Sequence, residues 1–198
     1  MASLFQTSKG HRAMTMIGLF DRLRETRASR VRKLAVTAVA VLSGSFQICG
    51  FIGLRFNSSP SLPVGVYVTT TDRRANLVEF CPEEPFAALA IKRGYRDPGS
   101  CRDGAAPLLK TVVASANDSV ELSARGISVN GVLLPNTAPL SKDTKGRPLE
   151  AWRFGRYIVA PEAVWVASSY HPRSFDSRYF GPLATAAIRY RLKPLLTL

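Results

Sequence analysis

Residues 57–67 read NSSPSLPVGVY, with three serines, two prolines and a glycine in eleven positions. Pro60 and Pro63 fix two φ angles and remove two backbone donors, so Ser61 lies on a stiff, extended segment that cannot be helical. A hydroxyl held that way is either part of a turn or a nucleophile, and a nucleophile needs a base. His171 is the one imidazole beyond the first 33 residues, so a Ser-His-Asp arrangement would use it with a carboxylate such as Asp176. A lysine amine is the alternative. Of the seven lysines, Lys110 alone sits in the middle of an uncharged β-forming run, LLKTVV at 108–113. Burial disfavours the ammonium form, and a drop from about 10.4 to about 7 requires roughly 4–5 kcal/mol, within the reach of an apolar pocket. A neutral amine beside Ser61 would be a competent general base. The competing reading of Lys110 is a strand lysine on a solvent face. No CxxC or Cys/His spacing occurs, so neither a metal site nor any other cofactor is expected.

The elements that would position these groups begin with residues 34–54, LAVTAVAVLSGSFQICGFIGL, which are 21 residues without a charge between Arg32-Lys33 and Arg55. At 1.5 Å per residue the run spans roughly 30 Å, the hydrocarbon thickness of a bilayer. It is too long for the apolar region of a signal peptide and no A-x-A site follows, so it reads as an uncleaved anchor. Residues 1–33 carry eight Lys/Arg against Asp21 and Glu25, and this basic side is expected to stay in the cytoplasm. The resulting organisation is a cytoplasmic basic tail at 1–33, a transmembrane anchor at 34–54 in the inner membrane, and a periplasmic domain at 55–198. Translation from Met14 or Met16 would shorten only the tail. The formal charge of +13 first suggests nucleic acid. Nearly half of the excess precedes the anchor, however, so inner-membrane lipid is the expected partner and no direct nucleic-acid contact is expected. Cys49 falls within the span. Cys81 and Cys101 lie in the exported part, where they most simply form one disulfide, two free thiols being the alternative. From Leu54 to Ser61 the chain reaches at most about 25 Å, so the hydroxyl stays near the outer face of the membrane.

Beyond the anchor, strand signals dominate. Alternation at 64–69, the short run 77–80, LLKTVVA at 108–114, and 119–122 each predict a strand, and Asn130-Gly131 divides residues 127–134 into a hairpin. Strands are also predicted at 156–160 and 163–167, with an edge strand at 185–192. Residues 83–104 and 136–149 read as loops. The fold class expected is an all-β exported domain of several short antiparallel strands with long loops.

Three blocks carry a resemblance: SLPVG at 61–65, LLKTVVASANDSVEL leading to ISVNGVLLP, and SFDSRYFGP at 174–182. In this order behind one anchor they resemble the type I signal peptidase family of Ser/Lys proteases. S-x-P-x-G-x-Y together with SFDSRYFGP is similar to the branch that processes pilin for conjugative plasmids. The likeness covers most of residues 55–185. It implies Ser61 as the acylated nucleophile, Lys110 as the group that takes its proton, and Ser59 as the hydroxyl that helps the Ser61 N–H form an oxyanion hole. Ser174 would orient the lysine amine, and Asp176 and Arg178 would be the charged pair near the site. Leader peptidases usually have Met after the nucleophile, Lys-Arg at the base and a GDN-type sequence later. This chain has Leu62, Lys110-Thr111 and Ser169-Tyr170-His171, which favours the plasmid branch. It also assigns His171 a structural or solvent-facing role. The family's preference for small residues at the scissile bond would suit a shallow pocket built from residues such as Val64 and Val66. The function implied is a membrane-anchored serine endopeptidase that processes a membrane-inserted pilin precursor, with hydrolysis or cyclisation resolving the acyl-enzyme. A general leader peptidase and a non-enzymatic basic assembly protein of the transfer channel are the alternatives.

Overall fold

A computed structural model describes residues 32–39 and 53–198. The chain separates into two compact units, Met1–Ile52 and Gly53–Leu198. In the first, residues 32–39 form a helix, α1. The basic tail and most of the expected span lie outside the described residues, among which no helix is long and apolar enough to cross a membrane. One expected boundary changes. Leu54 is not the last residue of an apolar helix but the first of strand β1 (Leu54–Asn57), where it pairs with Val68.

The second unit is built from two antiparallel sheets. The larger contains β1, β2 (Gly65–Thr70), β3 (Leu77–Phe80) and β4 (Leu108–Ala114). Strands β9 (Ala163–Ala167), β10 (Leu183–Ala184) and β11 (Ile188–Thr197) complete it, in the order β1-β2-β11-β3-β4-β9-β10. The smaller joins β5 (Ser119–Ser123), β6 (Gly126–Val129), β7 (Val132–Leu133) and β8 (Gly155–Ile158) in the order β7-β6-β5-β8. Asn130 and Gly131 both have positive φ, 51° and 86°, as the tight β6–β7 hairpin requires. A core of Val120, Leu122, Ile127, Val159 and Trp165 underlies the small sheet. A second cluster, Val78, Phe80, Val164, Val166 and Phe180, backs β3, β4 and β9. A third, Leu62, Tyr67 and Leu192, lies directly beneath the proline-braced loop.

Two expectations are corrected. Residues 83–104 are not all loop, because Phe86–Arg93 form a two-turn helix, α2, burying Ala87 and Ala90. FAALAIKR is a good helix former, but the prolines before it and Gly94 after it hide the pattern. Gly94 closes the helix in the left-handed conformation, its N–H donating to Ala90 and Ile91 carbonyls. Cys81 and Cys101 form a disulfide across this segment. The last strand is not at an edge: β11 runs ten residues between β2 and β3. Pro194 made the run look shorter, since it supplies no ladder donor. A register shift between Pro194 and Leu196 accommodates it.

Candidate active site

Strand β1 ends at Asn57, and the loop that follows carries Ser59 and Ser61 before β2 turns the chain back. A loop with two prolines has more carbonyls than N–H groups, and the Asn57 side chain makes up the deficit. Its Nδ2 donates to the carbonyls of Ser59 (2.9 Å), Leu62 (3.1 Å) and Pro63 (3.1 Å), while Oδ1 accepts the Ser59 N–H at 3.2 Å. From the other side, the buried Tyr67 hydroxyl donates to Pro63 O at 2.6 Å. Leu62 plugs the apolar cluster below. The loop is thus clamped on both flanks of Ser61, which is itself 6% exposed.

Lys110 enters from the middle of β4, where it pairs with Val78 of β3. Its Nζ lies 2.7 Å from Ser61 Oγ, across 49 residues of sequence. The residue is 4% exposed. Burial pushes its pKa down to about 8, the Asp176 carboxylate pulling upward and the Arg178 guanidinium downward as smaller effects. With that value roughly a tenth of the amine is neutral at pH 7. Ser59 Oγ lies 2.7 Å from Ser61 Oγ and 3.4 Å from Ser61 N, so the Ser59 hydroxyl and the Ser61 N–H border one small space. Here the Ser61 N–H donates to Ser59 Oγ; beside the Ser61 hydroxyl, the two groups are suited to holding a developing oxyanion once that N–H turns to a bound substrate.

Asp176 and Arg178 form a two-point ion pair with no solvent exposure, Nε to Oδ1 and Nη2 to Oδ2, both at 2.8 Å. The guanidinium also donates to the carbonyls of Asn136 (3.0 Å), Pro172 (2.8 Å) and Ser174 (3.0 Å). Asp176 accepts the Ser168 and Arg178 N–H groups and caps the short helix α3 (Ser177–Phe180). This is a structural knot that fixes the wall beside Lys110. Ser174 departs from the role the resemblance implies. It is buried next to the site, but its Oγ makes no hydrogen bond to Lys110 Nζ or to any other described residue. Its main chain is fixed by Arg178 through the carbonyl and by its own N–H to His171 O at 3.2 Å. The hydroxyl is left at the cavity wall without reaching the amine.

Ser59, Ser61, Lys110 and Ser174 open onto a cavity of about 440 Å³. Val64 and Val66 do not line it. The apolar walls come instead from residues such as Leu108, Leu109, Leu140, Leu149 and Phe175. Val64 is instead 43% exposed. His171 lines the cavity, and its Nδ1 accepts the Arg173 N–H at 3.2 Å; Asp176 is engaged with Arg178, so no Ser-His-Asp arrangement forms. Among the described residues no three His, Cys, Asp or Glu side chains cluster as metal ligands would. The sequence assigns no role to Asn57, nor to Tyr67 beyond closing the S-x-P-x-G-x-Y motif. The available signal was an asparagine closing a strand before a donor-poor, proline-rich turn.

This arrangement of a buried amine on a serine hydroxyl stands in a chain that belongs to the signal peptidase family, peptidase S26, which residues 29–194 match. The chain is also similar to the plasmid transfer protein TraF of Escherichia coli, 33% identical over 180 residues, covering 89% of this chain and 99% of that one. It resembles the probable conjugal transfer protein TraF of Sinorhizobium fredii, at 34% identity over 92% of this chain and 96% of that one. The conjugal transfer protein TraF of Agrobacterium fabrum is 34% identical over 84% of this chain and 95% of its own. A signal peptidase I structure from Enterococcus faecalis aligns with 63% of the chain at 18% identity and a TM-score of 0.34, too low to add to the sequence matches.

Proposed function

We propose that this protein is a Ser/Lys endopeptidase, anchored in the inner membrane by the apolar run that begins at Leu34 and ends before strand β1, that processes a membrane-inserted pilin precursor for conjugative transfer. The observation that carries the reading is the 2.7 Å approach of a buried Lys110 amine to Ser61 Oγ. In its neutral form the amine accepts the hydroxyl proton as Oγ attacks the precursor's carbonyl carbon. The tetrahedral oxyanion is held by the Ser61 N–H and the Ser59 hydroxyl. The ammonium then returns the proton to the leaving amine, and an acyl-enzyme on Ser61 remains. A water, or the amino terminus of the pilin itself, attacks that ester. The first gives a shortened linear chain and the second a ring, and the two paths differ only in which nucleophile arrives. The Cys81–Cys101 disulfide supports an oxidising compartment such as the periplasm. The similarity to TraF conjugal transfer proteins supports conjugative transfer as the setting, and pilin as the substrate class rests on the S-x-P-x-G-x-Y and SFDSRYFGP motifs.

The test is to incubate detergent-solubilised full-length protein with candidate pilin precursors and weigh the products. The expected result is loss of a terminal segment, with one further water's mass lost where the chain is closed into a ring. Cleavage of unrelated secretory precursors in preference to pilin would assign a general leader peptidase instead. Cleavage undiminished in Ser61→Ala would overturn the mechanism.

A further inference from the structure

The cavity above Ser61 and Lys110 is not evenly charged. Beyond the dyad, two cations line it without any ion-pair or side-chain hydrogen-bond partner among the described residues, Lys142 and Arg173, both exposed at its rim. His171 adds a third donor. Because Nδ1 accepts the Arg173 N–H, the neutral ring carries its proton on Nε2. The wall's carboxylates do not balance these groups. Asp143 is consumed by the Tyr95 hydroxyl (2.7 Å), by Arg147 Nε (2.6 Å) and by the N–H groups of Lys145 and Arg147, which together hold its carboxyl well below the usual range although burial opposes them. Arg96, also in the wall, is neutralised by Asp103. That leaves Asp97 as the single uncommitted carboxylate against two uncommitted cations.

Unspent cations in a concave site act on whatever the site receives. A cleft lined by one sign focuses its field on the ligand and selects the opposite sign. We infer that the groove selects precursors carrying a carboxylate close to the scissile bond, read by Lys142 and Arg173 with His171 as a neutral donor. The inference rests on the peptidase reading and names its substrate class: an acidic segment, not merely one with small residues. Exposed ion pairs are each weak, so two acting together favour an acidic peptide over its amide counterpart by about tenfold at low salt. The preference weakens as ionic strength shortens the Debye length.

The experiment uses three labelled alanine-serine dodecapeptides, identical except for Glu, Gln or Lys on each side of a central Ala-Ala bond. Binding is read by fluorescence anisotropy on full-length Ser61→Ala protein in detergent, and cleavage by the protein with Ser61 intact. The expected result is an approximately tenfold preference for the Glu peptide in both assays at 50 mM salt, largely lost at 0.5 M. The preference should collapse to about one in Lys142→Ala/Arg173→Ala and reverse toward a Lys-bearing peptide in Lys142→Glu/Arg173→Glu. Equal binding of the Glu and Gln peptides, or a preference that survives the double alanine variant, would overturn the inference while leaving the peptidase reading intact. Preferential binding of the Glu peptide with no cleavage of any peptide would sink the peptidase reading and leave the acidic selectivity standing.

Discussion

Lys110 and Arg178 are neighbouring cations, both withdrawn from water, and the protein treats them in opposite ways. Arg178 meets Asp176 at two points and fills its remaining donors with backbone carbonyls. Burial alone would lower its pKa, yet the bonds and charge of Asp176 outweigh that and raise it. Among the described residues the Lys110 amine has one hydrogen bond, to a hydroxyl, and no carboxylate in contact. Its pKa falls to about 8. A fully paired guanidinium is architecture, whereas an amine denied a counter-ion becomes a base. The separation depends on Asp176 being committed to Arg178. A carboxylate free to reach Lys110 would restore its charge and remove its lone pair.

Four experiments break or sharpen this contrast. The largest effect is expected from Ser61→Ala and Lys110→Ala, each cutting peptide cleavage about 10⁴-fold or more while far-UV circular dichroism stays unchanged. Their double variant should be little worse than either one, as members of one catalytic unit are. Next, Arg178→Ala leaves a buried carboxylate unpaired and should cost about 3–5 kcal/mol by denaturant titration. In any folded fraction, Asp176 now acts on Lys110 unopposed and should move the rise of the pH–activity profile above the apparent value near 8 of the parent. Third, Lys110→Met removes a group whose folded pKa is depressed below its unfolded value near 10.5. Between those two values the unfolded chain holds a proton the folded one does not, so the parent gains stability as pH rises through the window. Below pH 8 the penalty is fully present. The methionine variant should therefore be more stable by up to about 3 kcal/mol at pH 7, with the advantage gone by pH 10.5, measured as pH-dependent unfolding midpoints. The smallest effect belongs to the nucleophile's side. Asn57→Ala should lower kcat about 10- to 100-fold with KM little changed, because it loosens the hydroxyl rather than the groove.

Much of this was visible in the sequence, and for identifiable reasons. Ser61 was legible because prolines restrict the backbone locally, and Lys110 because a lone charge interrupts a β-forming run. Strand β2 followed from alternation, and β3, β4 and β9 lie where short β-forming runs put them. What could not be read was whatever depends on distant partners. Strand β1 was concealed by the apolar run that precedes it, and α2 by its flanking prolines and glycine. The central place of β11 depends on pairing with strands more than a hundred residues earlier. The same holds within the site. The donor-poor turn after Asn57 hints that its amide will serve carbonyls there, but nothing local to Ser174 says that its hydroxyl will fall short of the amine.

That position of β11 has a consequence in time. The strand leading out of the Ser61 loop, β2, and the strand beside that of Lys110, β3, do not pair; β11 is wedged between them and bonds to both. A polypeptide still emerging therefore owns a hydroxyl and an amine but no frame to bring them together. Synthesis must run through Ile188–Thr197 before the sheet that joins the two can close, so the meeting of hydroxyl and amine is set by residues far beyond both in the chain.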